Sequence, residues 1–238
     1  MSLFEKALAL DPSSVAVQPW LASTFVGRVL NGMSDAPTSD LQHADEAIAR
    51  TLAVWPNNAR AHFAEGQVRR AQSRYEEAIP EYERAIALDH NFAAAYAYLG
   101  TCKLATGSID EVIPNEERAV RLNPRDWNLG GWYFTIGAVH LLKGQIDEAI
   151  VWLEKSRSAN AGFHRTRASL AAAYGLKGNT QHAAAELAEA RTLNNRRYSS
   201  IASLKAAPGY QVLEAPKIRA LAEATYFDGL RKAGMPEE

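Results

Sequence analysis

The sequence has little of several features that would point to chemistry or to a compartment. Its 238 residues include a single cysteine, Cys102, which excludes an intramolecular disulfide framework and favours a reducing compartment. No apolar run approaches the roughly 20 residues that are needed to span a bilayer. The net charge of −1 provides no bulk attraction to nucleic acid or to anionic membranes. We therefore expect a cytoplasmic protein without a nucleic-acid or membrane partner.

Patterns typical of catalytic and metal sites are also missing. The six histidines lie at positions 43, 62, 90, 140, 164 and 182, and none forms a His-x-x-x-His pair or joins a cysteine at metal-ligand spacing. Gly130 and Gly131 lack the spacing and the preceding strand of a phosphate-binding loop. Cys102 lies among small apolar residues without an obvious activating base. The sequence therefore predicts no enzyme and no catalytic, cofactor-binding or metal site.

An internal repeat is the main feature that is present. The same segment occurs twice in succession, 34 residues apart. The matching positions lie in two amphipathic runs, and they are Gly66 and Gly100, Ala78 and Val112, Tyr82 and Glu116, and Ala85 and Ala119. Apolar residues recur three and four apart in each copy, which predicts two helices per unit. Self-similarity at this period is typical of stacked helical arrays.

Small and acidic residues keep the register of this repeat in further copies. Glycines at 107, 144 and 178 follow a helical run, which predicts a left-handed residue that ends the first helix of each unit. Acidic pairs at 76–77, 110–111 and 147–148 suit the positive end of a second helix. Close helix packing is predicted at a further set of small residues, which comprises Ala22, Gly66, Gly100, Gly137 and Ala171 in the first helices and Ala78, Ala149 and Ala183 in the second.

These residues resemble the tetratricopeptide repeat (TPR), a pair of antiparallel helices per unit. The resemblance implies an all-α fold, a TPR superhelix (α-α solenoid) of about five helix-turn-helix repeats with capping helices. We expect repeats at residues 15–58, 59–92, 93–129, 130–163 and 164–197, a partial repeat at 1–14 and C-terminal capping helices at 198–238. A polar loop is predicted over residues 31–40. Because the partial repeat lacks its first helix, we expect a fragment of a longer protein, the alternative being a lone capping helix.

The second half of the chain has a narrower resemblance. It rests on Asn-Pro-Arg-Asp (123–126), the aromatic helix after it, Lys-Gly-Gln-Ile-Asp-Glu-Ala-Ile (143–150) and the ending Tyr-Phe-Asp-Gly-Leu-Arg-Lys-Ala-Gly-Met-Pro-Glu (226–237). These runs are similar to bacterial TPR arrays at the C-terminal end of adenylate/guanylate cyclases and winged-helix regulators. The resemblance implies a regulatory or scaffold region of a larger signalling protein. The sequence contains no α/β alternation that could supply a cyclase domain.

In TPR arrays the first helix of each unit lines a concave face, so the resemblance implies a binding groove. Its lining residues would be Arg60, Phe63, Gln67, Arg70, Ala97, Thr101, Leu104, Phe134, Ala138, Leu141, Arg165, Ala168 and Ala172. The three arginines are the only cations among them and no asparagine accompanies them, which disfavours a carboxylate clamp and favours an apolar groove. In the aromatic cluster Trp127, Trp132, Tyr133 and Phe134, helical spacing predicts that most side chains are buried and that Phe134 faces the groove.

Two functions of different classes remain after these arguments. The first is a non-catalytic interaction module that binds a protein or peptide partner, as a peptide or helix in the apolar concave groove, or that docks onto the effector domain of its parent. The second is a self-association module that forms a homodimer through the N-terminal partial repeat. The predicted C-terminal helix, residues 215–233, is an alternative occupant of the groove.

Overall fold

A computed structural model of the chain describes residues 4, 6, 10, 14–30, 32–207 and 210–238. Every regular element among these residues is helical, and no strand occurs in this part of the chain. Contacts between Cα atoms divide the chain into two compact units, Met1–Cys102 and Lys103–Glu238. The partial repeat predicted at 1–14 lies almost entirely outside the described residues. None of the described helices has the length and hydropathy that crossing a membrane requires.

The first unit is built from consecutive helices joined by short connections. Each second helix packs against the helix before it, α2 on α1 and α4 on α3, and α1 also packs on α3. The helices are α1 (Gln18–Leu30), α2 (Pro37–Val54), α3 (Ala59–Ala71), α4 (Tyr75–Leu88) and α5 (Ala93–Ala105), the last of which ends in the second unit. Buried small residues such as Ala22, Ala64 and Ala78 let the helices approach closely.

The long loop predicted over 31–40 is shorter than expected, because α2 already begins at Pro37. Proline suits the first position of a helix, where its missing N–H would be unpaired in any case. The side chain of Asp40 is 5% exposed and accepts a 2.6 Å hydrogen bond from the Ser34 hydroxyl. This contact ties the connection to the first turns of α2.

The second unit continues the same arrangement. It contains a 3₁₀ turn (Ile109–Glu111), α6 (Val112–Leu122), α7 (Leu129–Leu142), α8 (Ile146–Ala159), α9 (His164–Leu176), α10 (Thr180–Tyr198), α11 (Ile201–Ala206), a 3₁₀ turn (Gln211–Leu213), α12 (Pro216–Ala222), a π-helical turn (Glu223–Phe227) and α13 (Asp228–Lys232). Helix α10 is kinked at Asn194, where φ is −157° and ψ is 75°. We call the unbroken run from α12 through the π-helical turn to α13 the C-terminal helix.

The predicted glycine register is confirmed by the backbone angles. Gly107, Gly144 and Gly178 have φ values of +91°, +73° and +77°, in the left-handed region that glycine adopts without Cβ strain. The first copy has Ser73 at this register with φ of +59°. The turn therefore keeps its geometry even where the residue is not glycine.

The predicted close packing of small residues is also confirmed. A Cβ atom added at Gly66 would lie 2.8 Å from the Tyr82 ring, and one added at Gly137 would lie 2.7 Å from Leu153 Cγ. Either distance is far inside van der Waals contact. In these two pairs the second helix therefore approaches the first closely at a position where the first has no side chain.

Candidate protein-interaction site

Arg60 lies in the first turn of α3 and contacts aromatic rings from two other segments. Its guanidinium carbon is 3.5 Å from the centroid of the Trp20 ring on α1 and 5.0 Å from that of Phe92, just before α5. Burial lowers the pKa of Arg60 and the charge of Asp89 raises it, but a guanidinium stays protonated at neutral pH. Trp20 is 42% exposed. A cation is thus held by cation–π contacts beside an accessible ring.

Arg70, three turns further along α3, is held by a second set of contacts. The side-chain oxygen of Gln67 accepts hydrogen bonds from Arg70 Nε at 3.0 Å and Nη2 at 2.7 Å, and from the Tyr82 hydroxyl at 3.1 Å. The guanidinium carbon of Arg70 lies 4.5 Å from the centroid of the Tyr98 ring. Gln67 is therefore a positioning residue that orients Arg70.

Phe63 forms the floor between the two arginines. Its side chain is 6% exposed, and its ring stacks on Phe92 with centroids 4.6 Å apart and lies 5.9 Å from the rings of Tyr82 and Tyr98. Two cations and several rings thus share one face of the first unit. We call Trp20, Arg60, Arg70, Phe92 and Tyr98 the arginine–aromatic face.

Sequence reasoning found the arginines of this face but missed its three rings. Trp20, Phe92 and Tyr98 come from segments other than α3, so no spacing within the sequence pairs them with Arg60 or Arg70. Of the other predicted lining residues in this unit, Ala97 is 1% exposed, and the hydroxyl of the half-buried Thr101 donates to the Ala97 carbonyl oxygen at 3.2 Å. The face is therefore amphiphilic, with charge and apolar surface side by side.

In the second unit most predicted lining residues are buried in a core that the C-terminal helix helps to form. Leu104 is 6% exposed, Leu141 is 1% exposed, and Ala168 and Ala172 are fully buried. They share one hydrophobic core with residues of the C-terminal helix, which include Ile218, Ala222, Phe227 and Leu230. The chain's own tail thus packs on the first-helix side of this unit.

Two glycines bring the C-terminal helix into backbone contact with α9. A Cβ atom at Gly175 would overlap the carbonyl oxygen of Gly229, and one at Gly229 would overlap that of Ala172. The end of the chain is held further, because the amide N–H of Ile201 donates to the Pro236 carbonyl at 2.9 Å and that of Ala202 donates to the Glu237 carbonyl at 3.0 Å. The tail is therefore an integral part of this unit.

Phe134 and Arg165 lie together at the edge of this core. The Phe134 ring meets the Phe163 ring edge-on, with centroids 5.1 Å apart, and the guanidinium carbon of Arg165 lies 5.0 Å from the Phe134 centroid. Both Phe134 and the neighbouring Ala138 are half-buried. The second unit thus repeats, on a smaller scale, the pairing of an arginine with a ring.

The other members of the predicted aromatic cluster have different environments. Trp132 is 3% exposed, and its indole N–H has no acceptor among the described residues. Tyr133 packs on Trp152 with centroids 5.6 Å apart and lines a shallow surface cavity of about 710 Å³. Trp127 is 88% exposed. Of the four residues of the predicted aromatic cluster, only Trp132 is therefore buried, and the prediction that most of them are buried is wrong.

Two places in the first unit hold residues that could react or bind a metal, and their environments differ. Cys102 is fully buried, and burial raises the pKa of its thiol to about 12, so the thiolate that would be reactive is not populated at neutral pH. His62, Glu65 and Glu81, by contrast, place one ligand atom each within 4.8 Å of the others. This cluster was missed by sequence reasoning because Glu81 comes from α4 while the other two come from α3.

Comparison with known proteins defines the class of this chain as a helical-repeat protein with the TPR fold. A family model described as TPR repeat matches residues 66–107. No curated protein matches the chain.

Several solved structures share the fold. A crystal structure of MamA is 26% identical, with a TM-score of 0.58, over 70% of this chain and 95% of that one. YrrB, described as a TPR protein with an unusual peptide-binding site, is 20% identical, with a TM-score of 0.57, over 86% of this chain and 97% of that one. PilF of Pseudomonas aeruginosa is 16% identical, with a TM-score of 0.63, over 91% of this chain and 89% of that one. The predicted all-α TPR solenoid class is thereby confirmed.

Proposed function

We propose that the chain is a non-catalytic protein–protein interaction module that binds a peptide or helix of a protein partner. The observation that carries this proposal is the arginine–aromatic face of the first unit. Trp, Tyr and Arg are the residue types that most often supply the binding energy of an interface. Here they are held in place by neighbouring side chains, so little conformational entropy is lost on binding. The TPR-fold neighbours, which include the peptide-binding YrrB, support the same class of function.

The chemistry of the face indicates the chemistry of its partner. Arg60 and Arg70 present positive charge, while Trp20 presents an accessible apolar ring. A segment with carboxylates next to an aromatic or aliphatic side chain would satisfy both. We propose such a segment as the partner of the first unit, and the chain's own C-terminal helix as the occupant of the corresponding side of the second.

Selection from a random peptide library on the full chain tests this proposal. Selected peptides should be enriched in Asp or Glu beside an apolar anchor, and Arg60→Ala should weaken their binding by about 2 kcal/mol, roughly thirtyfold. Arg84→Ala is the matched control. Arg84 is an exposed arginine on α4 of the same unit, and its Nη2 donates a hydrogen bond to Asn57 Oδ1 at 2.6 Å. Peptides that bind wild type and the Arg60→Ala variant equally would overturn the proposal.

We also propose that the module is the regulatory or scaffold part of a larger bacterial signalling protein such as a nucleotide cyclase. The support for this is the resemblance of residues 123–150 and 226–237 to the arrays of such proteins. Sequencing the gene upstream of Met1 tests it. A reading frame that continues into a cyclase or winged-helix domain is expected, and an upstream stop codon in frame would contradict it.

Self-association through the N-terminal partial repeat is a second candidate function. The observation that favours it is Leu10, which is 90% exposed and would be covered by a partner copy. Phe4, in contrast, stacks on Trp20 of its own chain, with centroids 5.8 Å apart. Light scattering of the full chain and of a variant without residues 1–14 separates these functions, because only self-association requires the mass of the full chain to exceed that of one copy.

A further inference from the structure

His62, Glu65 and Glu81 form a compact group between the two helices of one hairpin. His62 and Glu65 lie three residues apart and so share a face of α3. Glu81 reaches the same place from α4, and its Oε2 lies 2.8 Å from His62 Nδ1. The three side chains are only 15–26% exposed. Two helices thus contribute one imidazole and two carboxylates to a partly buried site.

The second nitrogen of His62 determines which tautomer faces the carboxylates. His62 Nε2 lies 3.0 Å from the carbonyl oxygen of Pro56. A carbonyl oxygen only accepts, so Nε2 must carry the hydrogen, and in the neutral ring Nδ1 then presents a lone pair. Histidine ligands of metal ions have this arrangement, in which the distal N–H donates to a backbone carbonyl.

With the ring in this neutral form, two acceptors face each other across 2.8 Å, the Nδ1 lone pair of His62 and the carboxylate of Glu81. Such a pair is stable only with a positive charge between its members, either a proton or a metal ion. Among the described ion pairs, Glu81 pairs with His62 and with no lysine or arginine, and Arg69 is the cation that pairs with Glu65. Arg69 pairs with Glu65 at 2.9 Å, but it is shared with Asp45 at 3.4 Å.

Glu65 is the member of the group that lies next to open space. Its side chain lines a surface cavity of about 370 Å³ together with Asp45 and Arg69. A hydrated cation could therefore reach the group from solvent and keep a water ligand there.

We propose that His62, Glu65 and Glu81 bind a zinc ion that links α3 to α4. One imidazole nitrogen and two carboxylate oxygens are a donor set that suits Zn²⁺ and excludes a preference for Mg²⁺ or Ca²⁺, which take oxygen ligands alone. Bond lengths of about 2.0–2.2 Å place the ligand atoms roughly 3.3 Å apart. The 2.8 Å between His62 Nδ1 and Glu81 Oε2 must therefore widen slightly, while the group as a whole, whose ligand atoms lie within 4.8 Å of one another, must tighten. Rotation of the two glutamate side chains supplies that movement without a shift of either helix.

Calorimetry with ZnCl₂ on the full metal-stripped chain at neutral pH is the test. We expect one zinc per chain, a thermal midpoint that rises with zinc concentration, and no response to MgCl₂. His62→Gln and Glu81→Gln should each weaken zinc binding at least tenfold. His182→Gln is the control, because the Nδ1 of His182 faces the amide oxygen of Asn179 and no carboxylate partner of it is among the described hydrogen bonds.

Two outcomes would overturn the proposal. The first is the absence of stoichiometric heat and of any shift of the thermal midpoint, which would leave the group as an ion-pair network. The second is zinc binding of unchanged affinity in His62→Gln, which would place the metal elsewhere. Circular dichroism shows whether each variant is folded, and Glu65→Gln serves as a third ligand variant if one of the others is not.

Discussion

Single residues depart from the repeat in ways that have energetic consequences. Ser73 occupies a left-handed position that is glycine in three other copies, Glu116 occupies the buried position of Tyr82, and His164 is held neutral beside Tyr198. Each of these residues keeps the local fold, because its neighbours determine the backbone and the packing. Substitution of each residue should therefore change the stability of the protein and leave its architecture unchanged.

Ser73→Gly should raise the free energy of unfolding by about 1 kcal/mol. A non-glycine residue in the left-handed region brings Cβ close to the following carbonyl, at a cost of roughly 1–2 kcal/mol, part of which glycine returns as entropy in the unfolded chain. Urea denaturation measures the change. The reverse substitution at the same register, Gly107→Ser, should lower stability by a similar amount, and a loss on Ser73→Gly would contradict the argument.

Glu116→Leu should stabilise the protein at neutral pH. Glu116 is 1% exposed, its Oε2 has no hydrogen-bond partner among the described residues, and burial raises its pKa well above the usual range. The folded chain retains a proton that the unfolded chain releases above its ordinary pKa of 4.5, so stability from this group is lost as pH rises. We expect a gain of about 1–3 kcal/mol at pH 7.5 and a smaller one at pH 4.5.

The matched control for this variant is Glu117→Leu, because Glu117 is its half-buried neighbour and pairs with Arg121 at 3.7 Å. Its substitution should change stability by no more than about 0.5 kcal/mol. Equal effects of the two substitutions at both pH values would contradict the assignment of a buried carboxyl.

Stability should fall on acidification because of His164. Burial lowers its pKa from 6.5 to about 4, and the charges of Arg197 and Arg165 act in the same direction. Between these values the unfolded chain binds a proton that the folded chain does not, so the contribution is complete above pH 6.5 and is lost towards pH 4. Because the ring is half-buried, we expect about 1–2 kcal/mol.

Urea denaturation at pH 7.5, 5.5 and 4.5 measures this dependence, and the carboxylates contribute to it in every variant. His164→Gln should therefore have a shallower decline than wild type. His182→Gln, which changes an exposed histidine, should follow wild type. Identical declines in wild type and His164→Gln would show that this ring does not couple folding to pH.

At the scale of elements, the C-terminal helix decides what the first helices of the second unit can contact. It packs along α9, and it contributes apolar residues to the same core as α7 and α9. A terminal unit of a helical array otherwise exposes its last apolar face to water. The helix covers that face, and the backbone contact at Gly175 and Gly229 sets how closely it lies.

Gly229→Ala should destabilise the second unit by about 2–4 kcal/mol. Its methyl group would overlap the Ala172 backbone, which cannot move without shifting α9. Gly27→Ala is the control, because a Cβ atom there meets nothing within 4 Å, and alanine should stabilise that helix by up to about 1 kcal/mol. Thermal denaturation of the two variants gives the comparison, and an unaffected Gly229→Ala protein would mean that the helix does not approach α9 this closely.

At the scale of the whole molecule, the helical pairs supply nearly all regular structure of the described residues. Within each unit, paired helices bury small residues against each other, so each unit depends on repetition of one local packing rule. Clusters of charged and aromatic side chains therefore arise where residues of several helices meet, as at the arginine–aromatic face.

The far-ultraviolet circular dichroism of the protein should accordingly be that of an almost entirely helical chain. Helical residues dominate the described part of the sequence, and it contains no strand. A substantial β component in the spectrum would contradict the architecture. A variant without residues 207–238 should lose helical signal and bind an apolar dye, because the core around Ala168 and Ala172 would then be exposed.

The sequence by itself determined the helices, the left-handed turns at Gly107, Gly144 and Gly178 and the close packing at Gly66 and Gly137. These features depend on residues within one repeat, so the period of 34 residues carries them. The polar loop predicted before α2 is too long, because the proline at position 37 is typical of a loop but is here the first residue of a helix.

Only the tertiary structure decided which side chains meet across helices. Trp20 and Phe92 lie against Arg60, Glu81 lies against His62, and the C-terminal helix packs on α9, although the members of each pair come from different segments at least 19 residues apart. A periodic pattern indicates which face of a helix is apolar. It does not indicate which residue of a neighbouring helix lies opposite that face. Ion pairing and aromatic contact both depend on the identity of that residue, and so packing decided which side chains meet.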